Sequence, residues 1–285
     1  MKLEFNQVVK KYDGFQLNCT MTVEEGCVTG LIGRNGAGKS TAFKSALGLI
    51  RPDGGSVTLD GKDVTTLTAK DKEAVGVVLS DSGFSGYLSV KDVVCIMQGM
   101  YKSFRKAEFL ERCKQFGLPL DKQIKEFSTG MKAKLKVLTA MSYGAKLLIL
   151  DEPTAGLDVV ARDEILDMLR AYMEEEGNSI LISSHISSDL EGLCDDIYMI
   201  DGGKIVLHEE TGVLLDEFGV LKVTKEQYEA LDKAYIMSRK KEAFGYALLT
   251  GEKKFYQENY PEITIEKAGI DQIITLIISG TREGM

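Results

Sequence analysis

Two groups of residues in this chain could do chemistry on a phosphate. The first is Gly33-Arg34-Asn35-Gly36-Ala37-Gly38-Lys39-Ser40, which fits G-x-x-x-x-G-K-[ST] in full. Glycines in such a loop let the backbone curl until several N–H groups face one anion. The helix that should start at Gly38-Lys39-Ser40 presents its positive end to the same anion. Lys39 then supplies a point charge for the β- and γ-phosphates, and Ser40 a hydroxyl for a bridging Mg²⁺. Thr41 completes the candidate set at the helix start. An ordinary Gly-rich turn would give no reason for lysine there, because a carboxylate suits a helix N-terminus better. The second group is Asp151-Glu152 at the end of Leu147-Leu148-Ile149-Leu150. A buried strand delivers both acids to the carboxyl edge of a sheet, where open α/β proteins bind ligands. Asp151 is placed to hold Mg²⁺ or its waters, and Glu152 to orient and deprotonate an attacking water.

These residues need a scaffold of strands followed by helices. CVTGLIG reads as an apolar strand entering the loop, and the helix after it should run to about Leu49. SVTLDGKDV reads as a hairpin turning at Asp60-Gly61, and DIYMIDGGKIVLHEE as another turning at Gly202-Gly203. Residues 90–145 are rich in helix formers and read as a helical subdomain. AKLLILDEP and NSILISSH read as buried strands, with amphipathic helices after each. The alternation predicts an α/β core with a largely parallel sheet. Beyond Gly212, GVLKV and KEQYEALDKAY suggest a small α+β appendix, and Ile270 to Ser279 an amphipathic helix that could dock.

Composition excludes several alternatives. The chain has 285 residues, 44% hydrophobic and 27% charged, which fits a globular protein with a core and not a disordered one. Its net charge of −8 argues against a nucleic-acid partner gripped through phosphates. No run reaches the roughly 20 apolar residues that cross a bilayer, and the N-terminus lacks the apolar core of a signal peptide. Five scattered cysteines, none in C-x-x-C, read as free thiols in a reducing compartment.

Further motifs make the resemblance specific. Phe127-Ser128-Thr129-Gly130-Met131 resembles the ABC signature, and Ala155-Gly156-Leu157-Asp158 the D-loop. His185 matches the family's switch histidine, and Tyr12 stands where an aromatic stacks on adenine. The chain thus resembles the ATP-binding subunit of an ABC transporter, most closely of the ABC-2 type. The resemblance implies a P-loop NTPase core of ABC type over residues 1–211, with an antiparallel β subdomain and a helical subdomain, and a C-terminal accessory domain over 212–285. It implies an ATPase using ATP and Mg²⁺, peripheral on the cytoplasmic face of the plasma membrane. Its partners would be a separate membrane permease and a second ATPase subunit, in a homodimer or heterodimer; no nucleic acid is implied. Two subunits would sandwich ATP head to tail, with Ser128 and Gly130 reaching the γ-phosphate from across the interface. Asp158 would bridge the two sites, and His185 would align Glu152 and water. A soluble ABC-type ATPase acting on the ribosome or DNA is the alternative, and an ATP sensor without turnover a third reading.

Two departures matter. Ser80 replaces the glutamine expected after Val75-Gly76-Val77-Val78-Leu79. Serine is too short to reach a metal as glutamine does, which leaves Asp81 or a water to substitute. Thr129 and Met131 replace the usual glycine and glutamine of the signature. Phe84, Tyr87 and Leu88 either anchor the permease's coupling helix, as the resemblance implies, or belong to the core.

Overall fold

The computed structural model describes residues 1–243 and 245–282; Phe244 and residues 283–285, part of the expected appendix, lie outside the described residues. β1 (Leu3–Tyr12) and β2 (Phe15–Val23) pair antiparallel, and β3 (Val28–Ile32) enters the core with all its residues buried. The Gly33–Ser40 loop leads into α1 (Lys39–Ala46). This helix is shorter than the pattern suggests. Gly48 N–H donates to Ser45 O and Leu49 N–H to Lys44 O, a pair of reverse bonds that closes the last turn and diverts the chain. β4 (Gly54–Leu59) turns through Asp60-Gly61 into β5 (Lys62–Asp63), as expected for the first hairpin.

After the one-turn α2 (Ala69–Lys72) comes β6 (Val75–Val78). The helical subdomain follows, with α3 (Val90–Met100), α4 (Lys106–Gln115) and α5 (Thr129–Met141). β7 (Leu147–Asp151), α6 (Val159–Met173), β8 (Ser179–Ser183) and α7 (Ser187–Glu191) complete the alternation. The second hairpin, β9 (Asp196–Asp201) and β10 (Lys204–Glu210), closes the core.

These strands form one ten-stranded sheet in the order β5-β4-β1-β2-β10-β9-β3-β8-β7-β6. The half from β9 to β6 is parallel. β3, β7 and β8 are buried on both faces, which is why they read as unbroken apolar runs. The other half is antiparallel apart from the β2–β10 join, and β1 and β2 alternate because one face meets water. β8 lies between β3 and β7. The carboxyl ends of these strands therefore open side by side on one edge, where a ligand crevice forms.

The C-terminal part builds a second sheet. α8 (Thr211–Asp216) leads into β11 (Gly219–Val223), α9 (Lys225–Ala230), β12 (Ile236–Glu242) and β13 (Gly245–Thr250). α10 (Lys253–Asn259), β14 (Thr264–Lys267), α11 (Ile270–Ser279) and β15 (Thr281–Arg282) follow. The sheet is antiparallel, ordered β14-β11-β13-β12-β15. Without β15 this is the β-α-β-β-α-β arrangement with a split βαβ. Leu221, Leu248, Ile236 and Tyr256 form a cluster on one face. On the other, Val220, Ala247 and Leu249 join Ile270, Ile273, Leu276 and Ile277 of α11 in the core cluster that also holds Leu190 of α7 and Ile197 of the first sheet. The expected amphipathic helix docks, and it docks on the same chain.

Candidate nucleotide site

The loop after β3 is shaped by close contacts. Gly38, at φ +117°, is the N-cap of α1, and a Cβ there would come within 3.0 Å of the Phe15 ring. A Cβ on Gly33 would lie 2.3 Å from Ile200 O. Lys39 is buried, and its Nζ donates to Gly33 O at 2.7 Å, arching back over its own loop. The same ammonium lies 3.7 Å from Glu152 Oε1.

Asp151 ends β7 fully inside the protein, and three serine hydroxyls satisfy it. Ser40 Oγ and Ser80 Oγ each donate to Oδ2 at 3.2 Å, and Ser183 Oγ donates to Oδ1 at 2.7 Å. The serine in place of glutamine is thus long enough to reach the carboxylate. Asp81 instead turns out to Lys44 at 3.5 Å. Ser40, Ser80 and Asp151 put three hard oxygens together, a donor set that suits Mg²⁺ held by one carboxylate and substrate phosphates. Among the described residues there is no cluster of three or more His, Cys, Asp or Glu that could form a separate metal cage.

Glu152 has φ +54°, rare for a residue with a Cβ and worth roughly 1–3 kcal/mol of strain. Its N–H is held by Ser183 O at 3.2 Å and Ser183 Oγ at 3.0 Å. His185, just past β8, donates its backbone N–H to Glu152 Oε2 at 3.2 Å, and its Nδ1 approaches that oxygen at 2.5 Å. The contact is a hydrogen bond from His185 to the carboxylate when the imidazole carries its proton on Nδ1. Glu152 is thereby fixed between Lys39 and His185, with its carboxylate at the mouth of the loop.

A cleft of about 580 Å³ joins these groups. Its wall carries Arg34, Asn35, Gly36, Gly38, Lys39, Ser40 and Thr41 from the loop, with Asp151, Glu152 and His185 opposite. Gly33 and Ala37 sit behind it, Gly33 as the carbonyl partner of Lys39. The aromatic ring on the wall is Phe15. Tyr12 is half exposed beside it, ring centroids 6.3 Å apart, and is not on the wall. Ser128, Gly130 and Asp158 are not on it either. Ser128 is exposed and caps α5 by accepting from Met131 N–H at 3.2 Å. Asp158 caps α6 by accepting from Ala161 N–H at 2.9 Å. Gly130 lies where a Cβ would be 2.8 Å from Ala161 Cβ, so its lack of a side chain lets α5 meet α6.

Sequence reading missed three contributors. Phe15 gave the signal of an aromatic three residues after Tyr12 across a tight turn. Ser183 gave the weaker one of a serine ending a buried strand just before His185. Ser80 was noticed only as a departure.

Known proteins match this arrangement. The family described as ABC transporter matches residues 17–155. The lantibiotic transport ATP-binding protein SrtF of Streptococcus pyogenes is 37% identical over 198 residues, 68% of this chain and 83% of SrtF. The chain belongs to the ABC transporter ATP-binding family. The daunorubicin/doxorubicin resistance ATP-binding protein DrrA of Streptomyces peucetius is 30% identical over 244 residues, covering 81% of this chain and 72% of DrrA. A solved ATP-binding subunit of an ABC transporter superposes with a TM-score of 0.67 at 26% identity, covering 75% of this chain and 92% of that one. This ABC subunit is an ATPase, and no helix among its described residues is long and apolar enough to cross a membrane.

Proposed function

We propose that this chain hydrolyses ATP in a head-to-tail dimer and passes the resulting motion to a separate membrane permease, in the direction of export. The carrying observation is how the site is divided. Lys39, Ser40, Asp151, Glu152 and His185 converge on one cleft, whereas Ser128, Gly130 and Asp158 lie off its wall. A second copy, turned to face the first, would close each cleft with Ser128 and Gly130, offering a hydroxyl and the N-terminus of α5 to the γ-phosphate. Val159 and Val160, beside Asp158, are 64% and 69% exposed, and such paired apolar side chains suit a face that meets another copy.

The loop N–H groups and Lys39 would bind the phosphates, and Phe15, with Tyr12 next to it, would stack on the base. Ser40, Ser80 and Asp151 would hold Mg²⁺, which supplies positive charge to the β- and γ-phosphates. Glu152 would take a proton from the attacking water, and His185 would keep that carboxylate aimed. The names of SrtF and DrrA, concerned with lantibiotic transport and drug resistance, support export. For the permease, a cavity of about 490 Å³ opens between the first sheet and the helical subdomain, with Leu49, Val77, Phe84 and Tyr101 on its wall. Tyr87, at 76% exposure, stands nearby under Lys125. Such a groove would seat a coupling helix at the cytoplasmic face.

Replacing Glu152 by Gln keeps the shape and removes the base, so turnover should fall by about 100-fold or more. ATP should then hold the variant as a dimer, read as a doubled mass in light scattering. Turnover at the normal rate would remove Glu152 from the mechanism; a monomer at saturating ATP would remove the sandwich.

A further inference from the structure

The switch histidine is joined to the C-terminal sheet by one short helix. α7 begins two residues after His185, and both its ends are tied. On one side the buried carboxylate of Asp189 accepts from Thr154 Oγ1 at 2.7 Å, and Arg162 Nη1 lies 3.8 Å away. Thr154 follows Glu152 by two residues, so this bond fastens α7 to the loop carrying the general base. On the other side Glu191 Oε1 accepts from Ile270 N–H at 3.0 Å. Ile270 is the first residue of α11, and Gly269 before it gives no side-chain cap. Glu191 therefore supplies from another element the acceptor and negative charge that a helix N-terminus needs. Leu190 of α7 and Ile270, Ile273 and Ile277 of α11 lie in the same buried cluster, so the polar tie sits on a packed contact.

We propose that Glu191 is a positioning residue for ATP hydrolysis, holding α7 against α11 so that His185 and Glu152 keep their contact. This rests on Glu152 being the base, and extends that reading to the C-terminal sheet. The sheet becomes part of the catalytic frame: a displacement of α11 would loosen the switch through α7.

The test uses the full chain. Glu191→Ala removes the acceptor, and Glu191→Gln keeps a carbonyl that can take the same N–H. The alanine variant should lose about tenfold in kcat, as expected for a mispositioned group, with KM for ATP changed less than about twofold. The glutamine variant should retain kcat within about twofold. Amide exchange across residues 183–191 should speed up in the alanine variant alone. Should Glu191→Ala fold poorly, Glu191→Asp keeps the charge but draws the carboxylate back from Ile270 N–H by one methylene, and should reproduce the kcat loss. Tyr256→Phe, which loosens the far face of the C-terminal sheet by deleting the bond to Asp232 O, serves as the control. Normal kcat in Glu191→Ala overturns the proposal, as does equal loss in Tyr256→Phe at matched melting temperature. Failure of Glu152 as base would show separately, as normal turnover in Glu152→Gln.

Discussion

At the scale of single residues, what separates a binding group from a bystander here is the direction a side chain faces. Tyr12 and Phe15 flank one tight turn, yet only Phe15 faces the cleft and lies against the Gly38 backbone. Base–aromatic stacking is worth roughly 1–3 kcal/mol. Phe15→Ala should therefore raise the Kd for ATP roughly five- to 150-fold by isothermal titration, and Tyr12→Ala by clearly less. The reverse order would return the base to Tyr12. The charged residues were legible because their chemistry is specific to position: lysine and serine at a helix start, and two acids ending an apolar strand, have few other uses. Ser80 and Ser183, the other two serines around Asp151, were not legible in these roles. A serine's role is set by what its short side chain meets, and Ser183 meets Asp151 only because β7 and β8 pair in register at Asp151 and Ser183.

At the scale of elements, apolar periodicity located the strands and helices, whereas their ends were set by bonds that periodicity does not carry. α1 stops at Ala46 and not near Leu49 because of the reverse bonds from Gly48 and Leu49. The strand order of the C-terminal sheet was likewise hidden, since short alternating strands do not announce their neighbours. α11 was visible as an amphipathic helix, and its partner was not, because that partner is a surface assembled from β12 and β13 of the C-terminal sheet together with α7. Close approach of helices is more exact still. Gly130 lets α5 meet α6, and a Cβ there would come within 2.8 Å of Ala161. Gly130→Ala should cost about 1–3 kcal/mol as overpacking, visible as a lower midpoint in urea. It should also weaken the ATP-held dimer of the Glu152→Gln chain. An unchanged midpoint would mean that α5 and α6 part freely, and with them the signature and D-loop faces.

At the scale of the whole molecule, the two sheets share one core cluster, so the chain should respond to global stress as a unit. Alkaline pH is such a stress, because buried weak acids are spread through the fold. Cys19 in β2 and Cys113 in α4 are both buried, and burial pushes each thiol from its ordinary value near 9 up to about 12. Cys194, after α7, is raised by burial and by Asp196 and Asp195. Burial also raises Tyr143 and Tyr172, and takes Tyr256 in the C-terminal sheet to about 12. In each case the folded chain keeps its proton when the unfolded chain has lost it. Above the unfolded value the unfolded state binds fewer protons, so stability falls as pH rises. For the two thiols the window runs from about 9 to about 12, at up to about 1.4 kcal/mol per pH unit for each. Urea midpoints should therefore be level near pH 7–8 and decline above about 9. The double variant Cys19→Ala, Cys113→Ala should start from a lower midpoint, having lost core volume, and then decline less steeply. Lysine and tyrosine titrations are common to both chains and cancel in the difference between slopes. Parallel slopes would mean that these thiols ionise as easily in the fold as out of it, which would contradict their complete burial.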